Sequence, residues 1–284
     1  MRRVHIIDVF TSKPFLGNPV AVVLDAEDLS TAQMQSIARW TNLSETTFVL
    51  RPSVPGADYR LRIFTPRSEL PFAGHPTLGS AHAVLSAGLV QSRDRLVQEC
   101  AAGQVVIIPS RTDDTARYRL RLPEAVVTDV SVGTADELIH ALGSTLDPAR
   151  KPLVIDVGPK WLVAKLLSAE ELIAIAPNWD ALRSLERSLG ITGVTLYAES
   201  EVGIEVRSFA PSQGVEEDPV CGSGNGAVAV FRQLAGELQT GERYTATQGQ
   251  CVGRRGQVEI ELAVDGEVWV GGACVTTLSG SFAG

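Results

Sequence analysis

The sequence is poor in the residues that build metal centres and disulfide frameworks. It has four cysteines, Cys100, Cys221, Cys251 and Cys274, and four histidines in 284 residues. There is no CxxC pair, and no histidine stands near a cysteine at ligand spacing, which argues against structural zinc and against a disulfide-stapled domain. Long apolar runs are missing too, and nothing approaches the roughly 20 residues needed to cross a bilayer. Arg2 and Arg3 lead almost at once into strand-like Val4–Val9, which reads against a signal peptide. Positive charge is not in excess: the formal net charge is −8. Neither nucleic acid nor an anionic membrane is therefore expected as the main partner. GxGxxG after the first strand, GxxxxGK[ST], GxSxG and HExxH are all absent. The expectation is a reduced, cytoplasmic, enzyme-sized protein whose chemistry uses no metal, nucleotide or flavin.

What the chain does contain is a copy of itself. RxFxP occurs at Arg62–Pro66 and again at Arg207–Pro211. A glycine-bounded apolar stretch runs from Gly74 to Gly88, and another from Gly222 to Gly236. GQVxI closes each copy, at Gly103–Ile107 and Gly256–Ile260. The spacing widens slightly along the chain, as it would if two copies of one unit had gained small loop insertions. Strand patterns fall at Val4–Val9, Pro19–Leu24, Arg60–Phe64, Leu153–Val157, Trp161–Leu166, Ile191–Ala198 and Gly203–Phe209. Ser30–Thr41, Ala169–Ile175 and Trp179–Leu189 read as helices, as do the segments that follow Pro76 and Asn225. These last two are apolar nearly all round and are expected to be buried. Many strands with one such helix per half predict an α+β fold of two pseudo-symmetric domains, each a rolled, mainly antiparallel sheet around a central helix. The expected boundaries are 1–112 and 118–266, with polar Arg111–Arg117 as a candidate linker and a last strand at about 267–284. Two like halves meeting face to face would form a cleft.

The candidate chemistry sits at the two helix starts, GHPT and GSGN. A glycine-led helix start presents unpaired N–H groups and roughly half a positive charge, enough to attract a carboxylate without Lys or Arg. The plainer reading is that these glycines only cap helices. Glu45, in NLSETTFVL, is a carboxyl directly before an apolar strand, where partial desolvation would suit a general acid/base. Spacing alone fits a solvated loop residue better. His75 could relay a proton or be a hydrogen-bonded structural histidine. Asp218 could cap the second helix or hold a substrate amine or hydroxyl. Cys221, beside the second helix start, has the setting that lowers a thiol pKa. It could also be a small packing residue. Its counterpart in the first copy is Ala73, so no two-thiol mechanism is available.

DVFTSKPFLGNPVAVVL, NLSETTFVL, RIFTPRSELPFAGHPTLGSAHAV and RSFAPSQGVEEDPVCGSGNGA together resemble the phenazine-biosynthesis PhzF-like isomerase family over nearly the whole chain. The resemblance implies a diaminopimelate epimerase-like fold with the active site between two domains, a last strand that returns toward the first domain, a homodimer and no cofactor. It also implies Glu45 as the catalytic acid/base, assisted by His75, Asp218 and Ser223. Asn18, Gly74, Gly222 and Gly224 would bind the substrate, the glycine amides holding its carboxylate. The defining member isomerises trans-2,3-dihydro-3-hydroxyanthranilate by moving a proton from C3 to C1. One departure stands out. The family commonly carries Thr where this chain has Cys221, so an amino-acid racemase or epimerase pairing Glu45 with Cys221 is one alternative. A non-catalytic small-molecule binding protein is another.

Overall fold

Alternating apolar residues, broken by glycine and paired polar turns, organise the chain into strands that the computed structural model describes over residues 1–283. Two units emerge, Met1–Leu120 joined by the chain from Gly271 onward, and Arg121–Val270. The first unit opens with β1 (Arg2–Val9), β2 (Asn18–Val23), α1 (Thr31–Thr41), β3 (Thr46–Leu50), β4 (Tyr59–Phe64) and the short β5 (Glu69–Leu70). It continues with α2 (Gly74–Ser86), β6 (Leu96–Cys100), β7 (Gly103–Thr112) and β8 (Thr115–Arg121). In the second unit come β9 (Val126–Asp129), α3 (Val132–Leu142), β10 (Leu153–Asp156), β11 (Lys160–Lys165), α4 (Ala169–Ala174) and α5 (Trp179–Leu189). There follow β12 (Gly193–Ser200), β13 (Gly203–Ala210), β14 (Val215–Asp218), α6 (Gly222–Leu234), β15 (Arg243–Gln248) and β16 (Gly256–Leu262). The long β17 (Val268–Phe282) begins in the second unit and runs on into the first.

In the first unit the pairing closes on itself. β1 pairs with β2, β2 with β3, β3 with β4, β4 with β6, and β6 with β7. From there β7 pairs with β8, β8 with β17, and β17 antiparallel with β1 from Arg2↔Phe282 to Val9↔Cys274. The eight strands form a barrel, which leaves no open edge for another chain to extend. Two junctions, β2–β3 and β4–β6, are parallel, and each needs a crossover helix, α1 and α2 respectively. The second unit repeats this order. β11–β12 is parallel across α4 and α5, β13–β15 is parallel across α6, and β12–β13 and β15–β16 are antiparallel neighbours. The α+β fold with internal duplication is thus written in the pairing as well as in the motifs.

The central helix of the first unit is buried on nearly every side, as its composition requires. His75, Leu78, Ser80, Ala81 and Val84 of α2 all lie inside. Gly79 is glycine because a Cβ there would stand 2.4 Å from Val20 and 3.0 Å from Val9, so helix and sheet approach too closely for a side chain. In α6, Gly226 plays the same part against Leu122 and Val270. The polar stretch Arg111–Arg117 is not a linker. It is the turn of the β7–β8 hairpin, with Asp113 and Asp114 both at positive φ (46° and 61°), the backbone that a two-residue turn demands. Five further elements, β5, β9, α3, β14 and β15, lie outside the segments the sequence pattern predicts.

Candidate active site

The site residues collect into two sets, one in each unit. In the first unit, α1 stops at Asn42, which takes a left-handed conformation (φ 54°) and turns the chain toward β3. Glu45 stands at the end of that turn, immediately before β3. The turn is braced by the hydroxyls of Thr41 and Thr46, 2.7 Å apart, and β3 is tied to α2 by Thr47 and Ser80 at 2.8 Å. The brace brings Glu45 Oε2 within 3.3 Å of His75 Nε2, with the two side chains 16% and 8% exposed. His75 is the second residue of α2, so the histidine is carried by the helix start and the carboxyl by the strand mouth.

The His75 ring hydrogen-bonds the backbone at Pro19. Proline has no N–H, so the ring must donate to the Pro19 carbonyl. Because Nε2 faces Glu45, the donated proton sits on Nδ1, and Nε2 presents a lone pair to the carboxyl. Burial pushes the His75 pKa down to about 3, which outweighs the upward pull of the Pro19 carbonyl. The ring is neutral at ordinary pH. It can accept a proton held by Glu45 but does not act as a cation beside it. Asn18, which precedes Pro19 and pairs with Val9, is fully buried. Ahead of Gly74, Ala73 gives α2 no side-chain cap.

In the second unit, Cys221 is the N-cap of α6, its sulfur accepting from the Gly224 N–H at 3.3 Å. Asp218 accepts from the Val220 N–H at 3.0 Å and also hydrogen-bonds the Cys221 thiol. Burial raises the Asp218 pKa to about 6 despite these donors. A helix start lowers a thiol pKa, but at Cys221 burial, reinforced by the neighbouring charge of Asp218, raises it well above the ordinary value. Of the two readings of Cys221, an activated thiolate or a small buried packing residue, this setting favours the second, a thiol that keeps its proton. Gly224 has its own packing reason: a Cβ there would lie 2.8 Å from Ser208 Oγ and 3.0 Å from Thr195 Oγ1. Gly222 opens the helix, and Ser223 follows with its hydroxyl 3.6 Å from the Cys221 sulfur.

Sequence reasoning missed two residues here. Gln248, fully buried, accepts from the Cys221 N–H at 3.1 Å and the Asn225 amide at 2.8 Å, and donates to the Asp218 carbonyl at 3.0 Å. Trp161 donates its indole N–H to Ser223 Oγ at 3.1 Å. Neither lies in a motif, and only the fold brings them to the start of α6. Among the described residues, no three His, Cys, Asp or Glu side chains stand together as metal ligands would. None of the described helices is long and apolar enough to span a membrane.

Comparison with known proteins gives this arrangement a context. The chain is 42% identical over 284 residues to the antisense-enhancing sequence 1 protein of Schizosaccharomyces pombe, covering 96% of each chain. To the trans-2,3-dihydro-3-hydroxyanthranilate isomerase of Pseudomonas chlororaphis it is 37% identical over 255 residues, covering 89% of this chain and 88% of that protein. The crystal structure of a PhzF-family phenazine biosynthesis protein from Bacillus anthracis superposes with a TM-score of 0.89 over 99% of both chains at 24% identity, a likeness of fold. Residues 7–280 match the family model of phenazine biosynthesis-like proteins, and with relatives of this similarity named as isomerases the protein belongs to the phenazine biosynthesis-like family of isomerases.

Proposed function

We propose that the protein is a cofactor-independent isomerase that moves a proton within a small carboxylate-bearing substrate, with Glu45 as the shuttling acid/base. The observation that carries this reading is the contact at 3.3 Å between half-buried Glu45 and buried His75, with the Pro19 carbonyl fixing the ring's tautomer. The ionised Glu45 takes a proton from a substrate carbon, and the electron pair left behind delocalises into the neighbouring π-system as a stabilised carbanion; return of the proton to a second carbon leaves an enol that becomes a ketone. His75 Nε2 can hold the resulting carboxyl O–H in place until the proton returns to a second carbon. Asp218 and Ser223 supply polar contacts to the substrate, and the amides of Gly74 and Gly222 bind its carboxylate, with Asn18 as a further contact; the Gly224 N–H, engaged by the Cys221 sulfur, lines the same helix start. A homodimer belongs to the same proposal, and light scattering of the purified protein tests it, while fractionation of the producing cells tests the cytoplasmic placement.

The protonated state of Cys221 supports this reading over a Glu45–Cys221 racemase, because a two-base racemase needs the thiol to ionise readily. The test is NMR of trans-2,3-dihydro-3-hydroxyanthranilate in deuterated water with wild type and Glu45→Gln. Conversion with label entering the product, slowed by a factor of about 10² or more in the variant, is the expected result. Failure of well-folded wild type to convert the compound removes that substrate. A Glu45→Gln variant as fast as wild type removes Glu45 as the base.

A further inference from the structure

Ser223 Oγ has two neighbours, the Trp161 indole nitrogen at 3.1 Å and the Cys221 sulfur at 3.6 Å. An indole N–H donates and never accepts, so one lone pair of the serine oxygen is permanently engaged. The hydroxyl proton must then point elsewhere. The available acceptor within the protein is the Cys221 sulfur, a weak one at that distance, which already takes the Gly224 N–H. The donors therefore run in one direction, from indole to serine, from serine to thiol, and from thiol to the Asp218 carboxylate, with which Cys221 also hydrogen-bonds. A donor-only group at one end and a carboxylate at the other leave the chain no reason to reverse.

From this geometry we infer that Trp161 is a positioning residue that holds Ser223 as an obligate hydrogen-bond donor, committing it to an acceptor oxygen of the substrate such as a carboxylate or a carbonyl. The weak contact to sulfur is readily exchanged for a stronger O–H···O⁻ bond when such an oxygen arrives. A substrate hydroxyl or ammonium offered at that point would face a serine with one lone pair already occupied. The indole itself is held firmly. Trp161 lies in β11 between Ile155 and Gly193 and is buried. A Cβ on Gly193 would stand 2.1 Å from the Phe209 carbonyl oxygen and 2.7 Å from the indole Cζ3, so the glycine serves the close approach of the strands and also leaves room for the ring. Trp161 thus links a glycine outside every motif to the hydroxyl at the α6 start. The inference rests on the proposed role of Ser223 in substrate binding.

Two measurements test it, and the first needs no substrate. In ¹⁵N-labelled protein the Trp161 indole resonance should move upfield, and its solvent exchange should quicken at least about tenfold, when Ser223→Ala removes the acceptor. An indole resonance indifferent to Ser223→Ala overturns the inference, whatever the reaction proves to be. The second is a kinetic cycle of Trp161→Phe, Ser223→Ala and the double variant, using deuterium incorporation into trans-2,3-dihydro-3-hydroxyanthranilate or, failing that, into members of a panel of small amino and hydroxy acids. Each single variant should lower kcat/KM about tenfold, chiefly through KM, and the double variant should be no worse than Ser223→Ala alone. Multiplied effects in the double variant, or a loss confined to kcat, would show that Trp161 acts on packing and not through Ser223. If wild type exchanges no compound of the panel, the proposed reaction falls, while the indole measurement still decides whether Trp161 holds Ser223.

Discussion

Asp218 is the residue whose setting has the clearest consequence for pH. Its folded pKa of about 6 lies above the ordinary 3.8, so the folded protein holds that proton more tightly than the unfolded chain. Folding therefore binds protons between about pH 4 and 6, and ionised Asp218 penalises the native state at higher pH, by on the order of 1–3 kcal/mol. Asp218→Asn, which never ionises and keeps an acceptor for the Val220 N–H, should be more stable than wild type at pH 8. That advantage should shrink as pH falls through 6 and vanish near 4. Thermal melts across this range check it, and a pH-independent difference would mean that the carboxyl is not buried as described. The same residue shows what sequence reading could and could not supply. Asp218, Cys221 and Ser223 stand out from their neighbours because they flank a glycine-led helix start. Whether burial or the helix dipole governs the Cys221 thiol depends on atoms contributed from Asp218, Gly224 and beyond, so the choice between thiolate and packing residue could be made only in three dimensions.

At the scale of single elements, the duplication has placed the same device in both units and given it different surroundings. Arg62 on β4 grips Glu69 of β5 through Nε and Nη2, at 2.7 Å each, and Arg207 on β13 grips Glu217 of β14 in the same two-pronged way, at 3.1 and 2.8 Å. The first pair is partly open, its side chains 25% and 35% exposed, and the second is closed off at 5% and 7%. Arg207 also donates to the Leu172 and Ile175 carbonyls at the end of α4. Removing one partner of a buried pair strands a charge, whereas an accessible pair hands its charge back to water. Glu217→Gln should therefore cost about 3 kcal/mol or more in urea unfolding, and Glu69→Gln no more than about 1 kcal/mol. Equal costs would contradict the difference in burial. The repeated RxFxP motif made both arginines visible in the sequence. Their partners were not legible, because each glutamate follows after a turn whose length differs between the copies. Helix α3 teaches a different lesson: Ser131 caps it and Gly143 ends it at φ 64°, so its signals were present, but it has no counterpart in the first copy to draw attention.

Over the whole chain, the last strand closes the first unit's barrel. β17 pairs with the whole of β1 through Cys274–Phe282, and β17 also pairs with β8. Removing the chain from Gly271 onward should expose the edges of β1 and β8 together and open one side of the core around α2. Such a truncation should abolish the cooperative melt of the first unit and drive the protein into aggregates, read by circular dichroism and sedimentation. A soluble truncated protein with native hydrogen-exchange protection in β1 would contradict this. The second unit's core, built on Leu138, Leu162, Leu172, Leu182, Leu196 and Phe209, draws no residue from the removed segment.

The sequence by itself determined the two-copy plan, the α+β class, the burial of α2 and α6, and the residues offered at the helix starts. Each of these is a local matter of periodicity, glycine placement or motif spacing, readable from neighbours a few residues apart. Only the tertiary structure decided the closure of the first barrel by a strand from the far end of the chain. It also decided the tautomer of His75 through the Pro19 carbonyl, the protonated state of Cys221, and the grip of Trp161 on Ser223. These depend on contacts between residues tens of positions apart and on how completely water is excluded. Sequence order carries neither until the chain has folded.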